Sequence, residues 1–155
     1  EGHFAAVLRK TQGESGEVPA CPGEKCPKAW ESFAKELDIT LPEGKAVSFG
    51  QSLYWAPMEL PELNRLKVLR PGLELGIERK GRFEPAHALA LWLKTCAVAE
   101  SFPPEGPEMK AYLHGDVVPS GKKGWCLVQA GGYAIGWGKG DGSVLKNHYP
   151  KGLRR

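Results

Sequence analysis

Long apolar runs are the first thing this 155-residue chain lacks. Its apolar stretches last a few residues, far short of the roughly 20 that a membrane span needs. No basic start, apolar centre and small-residue cleavage site occur together, so no secretory signal is visible. The chain opens on Glu1 rather than Met, which leaves open that it is a piece of a longer protein. Clustered cysteine is missing too. Of Cys21, Cys26, Cys96 and Cys126 only the first two are close, while a structural zinc site needs four ligands and His87, His114 and His148 are scattered. The expectation is no metal, and reduced thiols ahead of a disulfide. Paired catalytic carboxylates are absent as well. Glu74 and Glu78 flank Gly76 in an expected strand, and the Ser, His and Asp residues show no triad-like organisation.

What is present excludes disorder throughout: 41% hydrophobic residues and 25% charged. The length suits one ordinary domain or two small ones. Gly 20 and Pro 13 favour many turns and short strands over a helix bundle.

Periodicity places the elements. Pro27 opens a helix whose Trp30, Phe33, Ala34 and Leu37 share one stripe. Ala46–Phe49 and Leu53–Trp55 read as a hairpin around Gly50-Gln51-Ser52. Leu66, Val68, Leu73, Leu75 and Ile77 alternate at period two, ahead of a turn at Arg79-Lys80-Gly81-Arg82. A second helix is expected from Pro85 to near Glu100, with Leu89, Trp92, Leu93 and Cys96 on one face. Pro103, Pro104 and Pro107 mark a boundary. Beyond it come a short helical turn at Glu108–His114, strands at Gly124–Ala130 and Tyr133–Gly138 about a Gly131-Gly132 turn, and a turn at Asp141-Gly142. Gly2–Arg9 reads as a short strand and Lys10–Lys25 as a flexible linker.

Charge is uneven. Residues 1–109 hold 13 basic and 16 acidic residues, and residues 110–155 hold 8 basic and 2 acidic. In the second stretch Tyr112, Trp125, Tyr133, Trp137 and Tyr149 interleave with the cations, a pattern that suits a phosphate-bearing, base-bearing ligand. The competing reading is a solvated lysine surface over an aromatic core.

Two segments resemble a known family. Gly124–Lys139 (GWCLVQAGGYAIGWGK) and Leu145–Arg154 (LKNHYPKGLR) resemble the C-terminal PUA-like module of bacterial rRNA cytosine-C5 methyltransferases of the NOL1/NOP2/Sun class, in particular its RsmF-like branch. Leu69–Gly76 and Gly81–His87 resemble the segment just upstream, and Glu1–Lys10 the last strand of the methyltransferase domain. The resemblance implies an α+β fold: residues 1–26 as the end of the methyltransferase domain and a linker, 27–100 as a small α+β module, and 107–155 as a PUA-like β-barrel module. It implies RNA binding, with rRNA and the parent methyltransferase domain as partners, a cytoplasmic setting, and neither DNA nor membrane as a partner.

The family holds S-adenosylmethionine in a Rossmann-like domain, and this chain has neither the length nor the glycine-rich strand-to-helix turn for one. No cofactor is therefore expected here, with S-adenosylmethionine expected for the parent. Thr95-Cys96 has a superficial likeness to the family's nucleophile, but it falls on an apolar helical stripe. Cys126 lies between Trp125 and Leu127, and Cys21-Pro22 reverses the family's Pro-Cys order. The expectation is binding without catalysis. Lys139, Lys146, Lys151, Arg154 and Arg155 are the expected phosphate contacts, and Lys122 and Lys123 extend them from a turn. Asn147 and His148 offer hydrogen bonds to bases or 2′-hydroxyls, Tyr149 adjoins them, and Trp137 offers a stacking surface. Asn147 as a turn cap and Trp137 as core are the structural alternatives. Arg79, Lys80 and Arg82 can extend the basic surface to the first module. The alternative function is a protein-interaction module that docks on the methyltransferase core or a ribosomal protein.

Overall fold

The computed structural model describes residues 18–155 continuously, with residues 6, 9, 11–13 and 16 ahead of them. The strand expected over Gly2–Arg9 lies, apart from residues 6 and 9, outside the described residues.

Helix α1 (Lys28–Glu36) forms because Trp30, Phe33 and Leu37 recur on one stripe, and all three are buried. A four-stranded antiparallel sheet follows: β1 (Lys45–Phe49), β2 (Ser52–Ala56), β3 (Leu73–Arg79) and β4 (Arg82–Pro85), paired in that order. The segment before α1 is tied to this sheet by bridges at Ala20–Pro61 and Glu24–Ala46. The Lys45 ammonium donates to the carbonyls of Cys21, Met58 and Leu60 at 2.5, 2.8 and 3.4 Å, pinning the same segment.

Two expectations fail in this half. Leu66 and Val68 are not in a strand; residues 63–72 are turn and coil, with Arg65 at φ 65° between Pro61 and Pro71. Proline removes backbone donors and disfavours continued pairing. The second helix, α2, runs only from His87 to Trp92. Ala97 instead donates to Leu37 O at 2.9 Å, and Ala99–Phe102 forms β5 against a later strand. Sheet pairing therefore overrides the helical period, Trp92 is 43% exposed, and Cys96 lies beyond the helix.

The second sheet has five strands in the order β5-β7-β8-β9-β6. Its members are β6 (Val118–Pro119), β7 (Lys123–Ala130), β8 (Tyr133–Asp141) and β9 (Val144–Asn147), with β5 parallel to β7. Helix α3 (Pro107–His114) intervenes, ending at Gly115 with φ 110°, and a 3₁₀ turn over Lys151–Leu153 follows β9. The β7–β8 turn uses Gly131 and Gly132 at φ 56° and 84°, the left-handed pair that a tight hairpin turn demands. The sheet curls. Ser120, just past edge strand β6, donates from its hydroxyl to Glu100 on edge strand β5 at 2.6 Å, joining the two edges through side chains.

Curling gives the sheet an inside and an outside. Inside, Cys126, Val128 and Leu145 pack with Phe102, Val118, Met109 and Tyr112. Outside, Trp125, Leu127 and Trp137 join Trp30, Phe33, Leu75, Phe83 and Leu89 in one core shared with the first sheet. A register shift between Val128 and Gln129 places an extra residue in β8. Tyr133, Ile135 and Trp137 consequently do not share a face, contrary to the simple alternation. Tyr133 is 76% exposed, Ile135 packs on the inner core, and Trp137 lies in the shared one.

Candidate nucleic-acid interface

A cleft of about 640 Å³ opens along the seam of the two sheets, lined by Arg79, Lys80, Arg82, Phe83, Glu84, Trp125, Lys139 and His148. Four of these are permanent cations and one is a carboxylate. The first wall is the β3–β4 hairpin. Its two turn residues, Lys80 and Gly81, both have positive φ, 51° and 70°, which folds the strands back tightly and sets Arg79 directly opposite Arg82. The second wall is Trp125 and Lys139, in register across β7 and β8 on the outer face, with Lys146 of β9 next in the row outside the lining. Like charges directly opposite one another destabilise a sheet by roughly 0.2–1 kcal/mol per pair. The fold carries two such pairs, Arg79–Arg82 in the lining of the cleft and Lys139–Lys146 with Lys139 in it.

Phe83 and Trp125 make the floor. Both are buried, and the Trp125 indole N–H donates to Phe83 O at 3.1 Å, which fixes the ring. The Lys139 ammonium stands 5.2 Å from the centre of the Trp125 ring, within cation–π range. The His148 ring sits 4.5 Å from Trp125 at 65°. Although His148 is exposed as a residue, partial burial of its ring lowers its pKa; neighbouring Lys139 lowers it further and Glu84 opposes this. A neutral imidazole offers one donor and one acceptor nitrogen. Glu84 pairs with Arg79 at 3.8 Å, and both are well exposed, so the pair adds little stability. Among the described residues, Lys80, Arg82 and Lys139 have no carboxylate at ion-pair distance. A smaller recess of about 350 Å³ shares Arg82, Phe83, Trp125 and Lys139 and extends the cleft towards Lys28 and Ser32 on α1.

The residues singled out in the sequence separate into three groups. Lys139 and His148 line the cleft, with Lys146 beside Lys139 on the same face. Lys122 precedes β7, Lys123 faces Asp141 across β7–β8, and Lys151, Arg154 and Arg155 lie at the far end of the chain. None of these five lines the cleft. The third group is used by the fold itself. Trp137 is 1% exposed and donates to Ala86 O at 2.9 Å, so it has no open face for stacking. The Asn147 amide donates to the carbonyls of Tyr112 (2.7 Å) and Asp116 (3.0 Å) and accepts from Tyr149 N (2.8 Å), which takes both ends of the side chain as a cap. Tyr149 packs against His87 and Tyr112, and Arg154 is held by two bonds to Tyr149 O at 3.2 and 3.3 Å.

Phe83 is not among the contacts expected from the sequence, Trp125 stands there only as one of five interleaved aromatics, and Arg79, Lys80 and Arg82 only as an extension of the basic surface. A basic cluster in a two-residue turn was the available signal. Nothing in the sequence said that this turn meets β7 and β8.

All four cysteines are free thiols. Burial pushes Cys126 up to about 12, helped by Glu100, and burial also raises Cys96 and Cys26. These shifts run opposite to what a thiolate nucleophile or metal ligand needs. No group of metal-binding side chains occurs among the described residues, and no helix there is long and apolar enough to cross a membrane.

Comparison with known proteins follows the same division of the chain. Residues 99–155 match the family model of the methyltransferase RsmF PUA domain, so the curled sheet with its basic outer face is a PUA-type module in an α+β protein. Residues 32–93 match the model of the RsmF rRNA methyltransferase first C-terminal domain. Over a 174-residue alignment the chain is 26% identical to the ribosomal RNA small subunit methyltransferase F of Psychromonas ingrahamii, covering all of this chain and 36% of that protein. Both models describe C-terminal domains of RsmF, and the chain is an RsmF-like C-terminal region. It spans about a third of the relative's length.

Proposed function

We propose that this region is the RNA-holding part of an rRNA cytosine-C5 methyltransferase, and that the cleft between its two sheets is the holding surface. One observation carries the reading. Two facing like-charge pairs, Arg79–Arg82 in its lining and Lys139–Lys146 reaching it through Lys139, meet at an aromatic-floored cleft that has one carboxylate in its lining. A fold that accepts such repulsion gains from it when a polyanion arrives, because phosphates neutralise the cations and release counterions. Phosphate contacts then set the register of the RNA, and the remainder of the parent enzyme performs the chemistry. S-adenosylmethionine belongs to that remainder, as does the nucleophilic cysteine, and the cytoplasm is the proposed setting. Lys151 and Arg155 are exposed and extend the basic surface beyond the cleft.

The test is a salt titration of binding between this chain and fragments of small-subunit rRNA. Affinity falls steeply with salt. Lys139→Met and Lys146→Met each lower the log–log slope by about 0.7–0.9, the value for one phosphate contact. A flat salt response, or slopes unchanged in both variants, ends the proposal.

A second reading, docking on the parent's methyltransferase domain, has its own observation. Trp92 is 43% exposed beside a groove of about 210 Å³ formed with Pro42, Trp55, Pro57 and Leu73. The backbone of residues 19–21 runs along the nearby Leu60–Glu62 segment, on the route towards the upstream part of the parent. Tight, salt-insensitive binding to the separate catalytic domain, without RNA binding, favours this reading.

A further inference from the structure

The shape of the cleft says more than its charge. A phosphate ridge is gripped by cations on a flat or convex surface and needs no cavity. Here the two walls leave a half-open cleft of about 640 Å³, within the range of pockets that take small organic ligands. The floor is aromatic, the cations stand at the rim, and His148 is exposed with its ring against Trp125. Lys139 lies over the Trp125 ring with no carboxylate partner among the described residues, a position from which it can swing to a phosphate and uncover the ring.

Resting on the RNA-binding reading, we propose that the cleft seats one unpaired nucleotide, its base lodged against His148, Trp125 and Phe83 and its flanking phosphates held by Arg79, Arg82 and Lys139. Each module supplies one wall, so the seat exists only while the two sheets stay docked on their shared core. A base buried in a duplex cannot reach such a floor, whereas a splayed base stacks on it and shows its edge to the imidazole. The seated nucleotide serves as an anchor, distinct from the cytosine that the catalytic domain modifies.

The experiment uses the whole chain with two probes of one sequence: a short unstructured RNA strand carrying 4-thiouridine, and the same strand fully paired. The single strand binds about tenfold more tightly, and photocrosslinks map to peptides containing Phe83, Trp125 or His148. His148→Ala removes most of that preference by weakening the single strand, and His148→Phe, which retains a stacking ring, restores it. Circular dichroism verifies that both variants fold. Equal affinity for the two probes, crosslinks confined to other surfaces, or a His148→Ala loss shared by both overturns the nucleotide seat while the RNA-binding reading survives. Failure to bind either probe overturns both.

Discussion

The two faces of the five-stranded sheet are built from alternate residues of the same strands, yet they do different work. The inner face is apolar at its centre, where Cys126, Val128 and Leu145 are each 0% exposed, with Glu100 at its edge. The outer face changes character along its length. Leu127 and Trp137 are buried against the first module, and within a few residues half-buried Lys139 and exposed Lys146 stand beside one another. Trp125 occupies the frontier, 8% exposed, bonded to Phe83 on one side and covered by Lys139 on the other. The lesson is that binding capacity here arises at the edge of a docking interface. One module's hydrophobic contact surface ends where the shared cationic rim begins.

The largest test of that contrast removes the outer anchor. Trp137 touches Phe33 and Trp125 and donates to Ala86 O, so Trp137→Ala costs about 3–5 kcal/mol in urea denaturation. Because the core is shared, the wild-type chain unfolds in one transition. Two separated transitions in the wild type would break the picture of a single docked unit. Next comes the closure of the curl. Ser120→Ala strands the Glu100 carboxylate facing the inner core and costs about 1–3 kcal/mol in the same assay, with the outer cleft intact and RNA affinity unchanged in the folded fraction.

Smaller effects follow on the open part of the outer face. Lys146→Met relieves the Lys139–Lys146 repulsion and raises stability by about 0.2–1 kcal/mol while weakening RNA binding. Opposite signs in thermal melting and in binding would sharpen the claim that these charges serve a ligand rather than the fold. The smallest effect concerns the β8–β9 turn. The Asp141 carboxylate accepts from Ser143 N, Val144 N and the Ser143 hydroxyl, and these bonds hold its pKa at about 2, below the usual 3.8. A depressed folded-state pKa stabilises above the unfolded value, and this contribution is lost as pH falls from about 4 through 2. Asp141→Asn flattens that part of the pH–stability curve, while a curve of unchanged shape would remove Asp141 as its source.

Much of the local structure was legible. The α1 stripe, the hairpins at Gly50-Gln51, Lys80-Gly81 and Gly131-Gly132, and the α3 turn all follow from nearest-neighbour chemistry: period, proline placement and glycine's freedom at positive φ. The expected second helix is too long because Leu89, Trp92, Leu93 and Cys96 keep a helical period, whereas Ala99–Phe102 pairs with Leu127–Ala130, 28 positions further along the chain. Trp137 and Asn147 were indistinguishable by type from ligand-binding residues. Their hydrogen bonds to Ala86, Tyr112 and Asp116 come from other elements, which no local pattern announces.

By itself the sequence determined the α+β class, the basic second stretch, the turns and the family likeness, because these rest on composition and short-range pattern. Tertiary structure alone decided which cations act together. Arg79 and Lys139 are 60 positions apart, and only the burial of Trp125 and Trp137 against Phe33 and Phe83 sets them around one opening. The physical reason is that hydrophobic docking is non-directional and long-range in sequence, so it can unite charges that no spacing rule connects.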